Sequence, residues 1–521
     1  MRRRAPQLLL TSAAVLIMSA GCGDGRTPRG DAGGALGAEC TGSSDCASGI
    51  CIVASGRCTM PCSSDLSCPS DWRCGDVEGV QACVCQPSPE VCNGRDDDCD
   101  ARADEGTGAE VGCAIGELCT DGACSCAPAN MCGGACVDIQ ADPLHCGSCG
   151  TVCPSGRCAA GACCESAVDL LFVVDNTNSI AEEQAGFADE LPWLVSVLTT
   201  GDLNQDGDAS DPGDFVPITD LHVGVVTTDM GVGGFVVPTC DQRDFGDDAV
   251  LRTQGNTALP SCAATYPSFL RYQGTDSSGF ANDAACLVRA GTGGCGFPQP
   301  LEAALKALSP AAPTAWTAPG FTPPVFHGGT RGHADGANAG FLRPGSTLAI
   351  VVLSDSDDCS AEDVELFDPG SATYGSTDLN LRCSTHADTA LHSIGRFVDG
   401  LLSLRQGPGR VVFVPIVGIP SDLASAPGEP SSYAALISDD LNVRDDRMEE
   451  RIDPSMPNRL VPSCNTPGLG LAFPPVRLVR AAQGLEARGA GVSVQSICRD
   501  SMRAPFEALV RTLTDPSRSC N

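Results

Sequence analysis

Cysteine placement constrains this chain more than any other feature. Of its thirty-three cysteines, twenty-three lie between Cys40 and Cys164 and nine between Cys240 and Cys520. Cys22 stands alone near the start. A stretch as dense as 40–164 cannot be held mainly by an apolar core, so disulfides must staple it. That implies an oxidising, exported setting. Residues 1–22 read as an export signal: Arg2, Arg3 and Arg4 precede an apolar run, Leu8 to Met18, too short to span a bilayer. Setting Cys22 aside leaves two odd-numbered groups, so at least one bridge is expected to join them.

Texture divides the rest. Residues 23–39 are rich in Gly, Ala and Asp without an apolar period and read as a flexible tether. Residues 40–164 form the cysteine-rich, low-secondary-structure modules. From 165 to 521, apolar strands alternate with helical patterns. This predicts an α/β fold, a doubly wound, mostly parallel sheet with helices on both faces. Strands are expected at Asp169–Val174, His222–Thr227, Leu348–Leu353, Val411–Val417 and Val492–Ile497. Helices are expected near Ile180–Leu198, Pro300–Leu308, Ala387–Leu404, Val476–Ala487 and Met502–Leu513. Gly-, Pro- and Cys-bearing stretches at 230–298, 309–346 and 418–470 read as surface insertions. Nearness in sequence makes Cys240–Cys262, Cys286–Cys295, Cys359–Cys383 and Cys464–Cys498 plausible pairs, although sequence cannot fix the connectivity.

The first strand carries the most chemistry. Val168-Asp-Leu-Leu-Phe-Val-Val ends in Asp175, followed by Thr177 and Ser179. Alternate residues of an extended loop point the same way, so one carboxylate and two hydroxyls converge at the carboxyl edge of a strand. Oxygen ligands suit Mg²⁺ or Ca²⁺, and that edge is where open α/β sheets bind ligands. The alternative is a strand followed by an Asx turn.

This pattern resembles the metal-ion-dependent adhesion site of the von Willebrand factor type A (VWA) domain, Asp-x-Ser-x-Ser, with Thr177 in place of the first serine. In that family a later strand ends in Thr-Asp-Gly. Here the corresponding run is Ser354-Asp355-Ser356-Asp357-Asp358, which makes Asp355 the match. The family's threonine from a loop before a middle helix falls on Thr292 or, counted back from the helix, nearer Gln299. The resemblance implies a cation with one open position, able to accept a carboxylate from a partner protein. A bridge from Cys163 or Cys164 to Cys520 would tie the ends of such a domain together, as in some relatives of the fold.

Two further acidic loops point to Ca²⁺. Asp202, Asn204, Asp206, Gly207 and Asp208 reproduce the first half of an EF-hand loop, but position 12 is Gly213 where a bidentate Glu is required. Asp211 or Asp214 could substitute. Residues 90–106 resemble a cysteine-flanked metal-binding motif of bacterial surface proteins. There Asp96, Asp98 and Asp100 have calcium-loop spacing, and Asp104 and Glu105 can close the loop. A Cys-x-x-Cys at Cys146–Cys149 suits disulfides better than zinc in an exported chain.

Ser19-Ala-Gly-Cys22 is similar to a bacterial lipoprotein signal, in which Cys22 is acylated. Ordinary secretion is the alternative. The residues after Cys22 and the cysteine modules, which resemble myxobacterial ones, imply an outer-membrane or surface address in a Gram-negative bacterium. A net charge of −33 argues against nucleic acid as partner. No zinc-hydrolase His pair, nucleophile elbow or phosphate loop is present, so no enzyme is expected. Three functions are in view. The first is a lipid-anchored protein using a metal-dependent domain for adhesion or assembly. The second is a structural envelope lipoprotein with an inactive metal site. The third is the recognition module of a surface hydrolase.

Overall fold

A computed structural model describes residue 36 and, with gaps, 40–163 and 167–515. The gaps are 53–55, 69–71, 78, 86–87, 95–96, 98–103, 105–110, 115, 121, 154–157, 160, 209–210, 212, 427 and 468–469. The chain divides into two compact units, Met1–Pro128 and Ala129–Asn521.

In the first unit the described backbone forms short antiparallel hairpins. Ile50–Ile52 pairs with Arg57–Thr59, Trp72–Val77 with Val80–Cys85, and Glu117–Thr120 with Ala123–Cys126. Interleaved disulfides hold them: Cys40–Cys51 with Cys46–Cys58, Cys62–Cys74 with Cys68–Cys83, and Cys92–Cys119 with Cys113–Cys124. A bridge closing a loop of this size contributes about 3 kcal/mol by restricting the unfolded chain. The expected stapling is therefore present. So is its corollary, because the buried cluster around Cys40, Cys46 and Cys58 is made of cysteine alone.

The second unit opens with two more hairpins, bridged by Cys132–Cys149, Cys146–Cys158 and Cys153–Cys163. With Cys146 and Cys149 both oxidised, no thiolate is left there for zinc. A layered α/β body follows. Its strands are β1 (Ala167–Val174), β2 (Asp220–Thr227), β3 (Leu270–Tyr272), β4 (Thr347–Leu353), β5 (Val411–Val417), β6 (Gly491–Val492) and β7 (Gln495–Ser496). Its main helices are α1 (Ala181–Thr200), α2 (Ser277–Val288), α3 (Pro300–Leu308), α4 (Ile394–Leu402), α5 (Val476–Glu486) and α6 (Arg503–Thr514). The sheet runs β3-β2-β1-β4-β5-β6, and β7 also pairs with β5. Every pairing is parallel except that of the edge strand β3.

Strand alternation builds the two cores. Leu171 and Val173 of β1 face the cluster formed with α3, α4 and α5. Leu170, Phe172 and Val174 face the cluster formed with α1, α2 and α6. Phe187 sits edge-on to both Phe172 and Phe506, with centroids 5.2 and 4.8 Å apart. Each such side chain contributes roughly 1.5–3 kcal/mol when fully buried. One polar residue interrupts β1. The buried Asp169 accepts from Arg343 Nε at 2.7 Å, from Arg405 Nη2 at 3.2 Å and from the Ser346 hydroxyl. Both partners of the Arg405 pair are buried, so losing either one strands a charge.

Four expectations need correction. The helix foreseen at Ala387–Leu404 is two pieces, Ala387–Ala390 and α4. Leu391 bridges to Ala361 and the His392 amide bonds to the Ser360 carbonyl, which takes the intervening backbone out of the helix. The stretch 230–298 is not only an insertion, because it supplies β3 and α2. The stretch 309–346 is not confined to the surface, because Trp316, Phe321, Phe326 and Phe341 enter the α3-side core. The bridges are Cys240–Cys295 and Cys262–Cys286, not the pairs nearest in sequence, whereas Cys359–Cys383 and Cys464–Cys498 are as expected. Cys22, Cys164 and Cys520 lie outside the described residues.

Candidate metal centre

The strand order reverses between β1 and β4, which leaves a crevice at their carboxyl ends. Val174 is in register with Thr227 on one side and Leu353 on the other. The next residues, Thr228, Asp175 and Ser354, continue the ladder. Asp175 N donates to Leu353 O at 2.9 Å and Thr228 N to Val174 O at 3.1 Å. Two hydroxyls therefore flank one carboxylate in a single row.

Asp175 is wholly buried. Its Oδ1 accepts from Thr177 N at 2.8 Å and its Oδ2 from Ser354 Oγ at 2.6 Å. Burial pushes its carboxyl upward, opposed by the Ser354 hydroxyl and the Thr177 amide. Asp355, also 0% exposed, is pushed up to about 7, first by burial and then by the Asp175 charge. The Ser179 and Ser356 hydroxyls oppose that shift. The structure thus brings Asp175, Thr177, Ser179 and Asp355 together.

Oxygens without partners mark this edge. Asp355 Oδ2, Thr228 Oγ1, Asn176 Oδ1 and Glu183 Oε2 are all buried and make no hydrogen bond. Leaving a buried acceptor unmade costs about 1–3 kcal/mol each, and more when charged. Glu183 lies in the first turn of α1 and is 3% exposed. Burial pushes its carboxyl up to about 7, with further pressure from Asp355, Glu182 and Asp175. Sequence reasoning missed both Glu183 and Thr228. A buried Glu looks like the polar face of a helix, and Thr228 looks like an ordinary strand end.

Thr292 is exposed, on a loop stitched to the Asp175 loop. Gln184 makes that stitch, donating to Asp175 O at 2.7 Å and Gly291 O at 2.9 Å. Gln299 is buried but occupied, donating to Gly231 O at 2.9 Å and accepting from Ala361 N at 3.3 Å. Asp357 and Asp358 serve helix ends. Asp357 accepts the Arg477 and Leu478 amides of α5, and Asp358 accepts the Leu301 amide of α3 at 3.0 Å together with Arg477 Nε at 3.1 Å. These bonds satisfy amides that a helix leaves free at its first turn.

The Asp202 loop begins where Gly201 ends α1. Gly201 has φ 77°, and a Cβ there would collide with the Phe215 carbonyl. Asp202 accepts from Gln205 N at 2.6 Å and Gly207 N at 2.9 Å. Asn204 accepts from Asp206 N at 3.1 Å, and Asp206 accepts from Asp208 N at 2.8 Å. Both candidates for the closing position engage the turn: Asp211 accepts from Asn204 Nδ2 at 3.1 Å and Asp214 from Leu203 N at 2.9 Å. In the 90–106 motif, Asp96, Asp98, Asp100 and Glu105 lie outside the described residues. Asp104 accepts from Asn93 N at 2.7 Å, and Glu90 accepts from the Asp97 and Asp104 amides.

Among the described residues, every group of three His, Cys, Asp or Glu ligand atoms within 4.8 Å of one another contains cysteines, and those sulfurs are in disulfides. Among the described residues, carboxylates alone therefore do not make a cradle at the Asp175 site or the Asp202 loop. The Asp175 set fits a hard cation only through its combination of carboxylates and hydroxyls. No protein-family model, no curated protein and no solved structure matches this chain. The abundant disulfides indicate an oxidising environment. No described helix is long and apolar enough to cross a membrane.

Proposed function

We propose that residues 165–521 form a domain of the VWA kind that holds Mg²⁺ or Ca²⁺ at Asp175 and uses it to bind a carboxylate-bearing partner protein. The single observation that supports this best is Asp355, wholly buried beside buried Asp175 with one oxygen unpartnered. Two like charges in a dry crevice repel each other, and a divalent ion between them removes that cost. Asp175, Thr177, Ser179 and Asp355 would hold the ion. It supplies an electrophilic point of attachment for a partner's carboxylate. The same chain's Cys22 would carry a lipid anchor at an outer-membrane or cell-surface location, with the cysteine modules as a stalk. The acidic loops at 202–214 and 90–106 would take Ca²⁺ as structural ions.

A second reading has an observation of its own. The backbone at Gly470 packs against the Glu183 carboxylate, and Phe473 N donates to Asp355 O at 2.8 Å. Residues 470–473 thus roof part of the crevice, as suits an ion that is purely structural. Calorimetric titration of chelated protein with Mg²⁺ and Ca²⁺ tests the proposal. Wild type should bind one cation more than Asp175→Ala. Equal stoichiometry in the two proteins would remove the metal centre.

A further inference from the structure

A cleft of about 1070 Å³ opens beside the candidate metal centre, with Ser179 and Ser356 in its wall. Part of its wall comes from two segments outside the α/β layer, the hairpin Ile452–Asp453 with Met456–Leu460 and the stretch carrying Arg444, and part from the exposed side of α5 with Arg480. Three guanidinium groups there are poorly matched. Arg444 Nε and Arg459 Nε are buried with no hydrogen-bond partner, although the other arm of Arg459 reaches Asp453 at 2.9 Å. Arg480 meets Asp439 at 3.9 Å, and that carboxylate is 98% exposed.

Nearby acids answer this charge only in part. Asp357 and Asp358 are engaged with helix amides and Arg477. Glu450 is exposed among Arg480, Arg444 and Arg477 and offsets part of their charge. Glu362 and Asp388 come from a different segment of the lining. The rest of the wall is partly apolar, with Phe297, Leu391, Phe473 and a half-exposed Met456.

We propose that this cleft is the docking site for an extended peptide segment of a partner protein bearing two acidic residues with apolar residues between them. One carboxylate completes the cation's shell at the Ser179 end, and the other bonds Arg444 and Arg480. This rests on the metal reading above, and it adds what that reading lacks, the chemistry of the ligand. Losing the arginines removes a charge-assisted contact and weakens binding about tenfold or more.

The test is selection from a random peptide library on the full exported chain with Ca²⁺ and Mg²⁺ present. Affinities of the enriched peptides are then measured on wild type, on the double variant Arg444→Ala/Arg480→Ala, and in chelator. Support is enrichment of Asp or Glu flanking apolar residues, with affinity lost in the double variant and in chelator, while the double variant keeps its cation-dependent melting. Unchanged affinity in the double variant overturns the proposal and leaves the metal reading standing. Chelator-insensitive binding overturns the metal reading and this proposal with it. Enrichment of basic peptides, or none at all, overturns the proposal.

Discussion

The buried carboxylates make the cation-free protein sensitive to pH in a calculable way. Burial, and then the Asp175 charge, keep Asp355 protonated up to about 7, where an ordinary Asp titrates at 3.8. That difference corresponds to a penalty of about 4 kcal/mol on the native state once the group is ionised. The native protein keeps a proton that the unfolded chain has released. The stability linked to this group is therefore complete below 3.8 and is lost as pH rises through about 7. Glu183 acts in the same direction between 4.5 and about 7. The two are not additive, because the Asp355 charge is itself one cause of the Glu183 shift. Thermal melting in chelator at pH 5.5 and 8 reads the effect. We expect wild type to melt on the order of 5 °C lower at pH 8, beyond any slope shared with Asp355→Asn. Asp355→Asn should be the more stable of the two at pH 8 in chelator. Millimolar Ca²⁺ or Mg²⁺ should close the wild-type gap at pH 8 and change Asp355→Asn little. Identical pH slopes for the two proteins in chelator would refute the electrostatic reasoning.

Other outcomes follow from the same geometry. Asp358→Ala should destabilise by roughly 3–5 kcal/mol in denaturant unfolding, because Arg477 would stay buried without its carboxylate and α3 would lose an amide acceptor. Asp169→Ala should cost a similar amount, roughly 3–5 kcal/mol, by stranding Arg405. Gly201→Ala should cost about 1–3 kcal/mol, read as a lowered melting temperature, since φ 77° and the Phe215 carbonyl leave no room for a methyl group. Non-reducing peptide mapping should recover Cys240 linked to Cys295 and Cys262 to Cys286; recovery of Cys240 with Cys262 would contradict the loop arrangement around Asp229.

Much of the sheet was legible because its strands are long, apolar and end abruptly. The run from Val168 to Val174 must be buried on both faces, and that alone places Asp175 at an edge. The edge strand β3 and helix α2 were hidden for physical reasons. Three residues carry no periodicity, and Ser277–Val288 is built largely of small residues. Its start does carry a signal, since Asp276 accepts from Gly279 N at 2.9 Å as a helix cap. Asp357 and Asp358 were visible as extra carboxylates, but their task is to cap helices that begin more than fifty residues away. Glu183 and Thr228 became site residues only through tertiary burial, which no local pattern records. Nearness in sequence misled the Cys240 and Cys262 pairings because the chain folds back on itself between them.

Diffraction from crystals grown with Mn²⁺, located by its anomalous signal, tests the central claim most directly. The account predicts one ion at the carboxyl edge of β1, bonded to Asp175 and to the Thr177 and Ser179 hydroxyls, with Asp355 bound directly or through water. An ion found only in the acidic loops, with Asp175 and Asp355 hydrogen-bonded to protein alone, would contradict it.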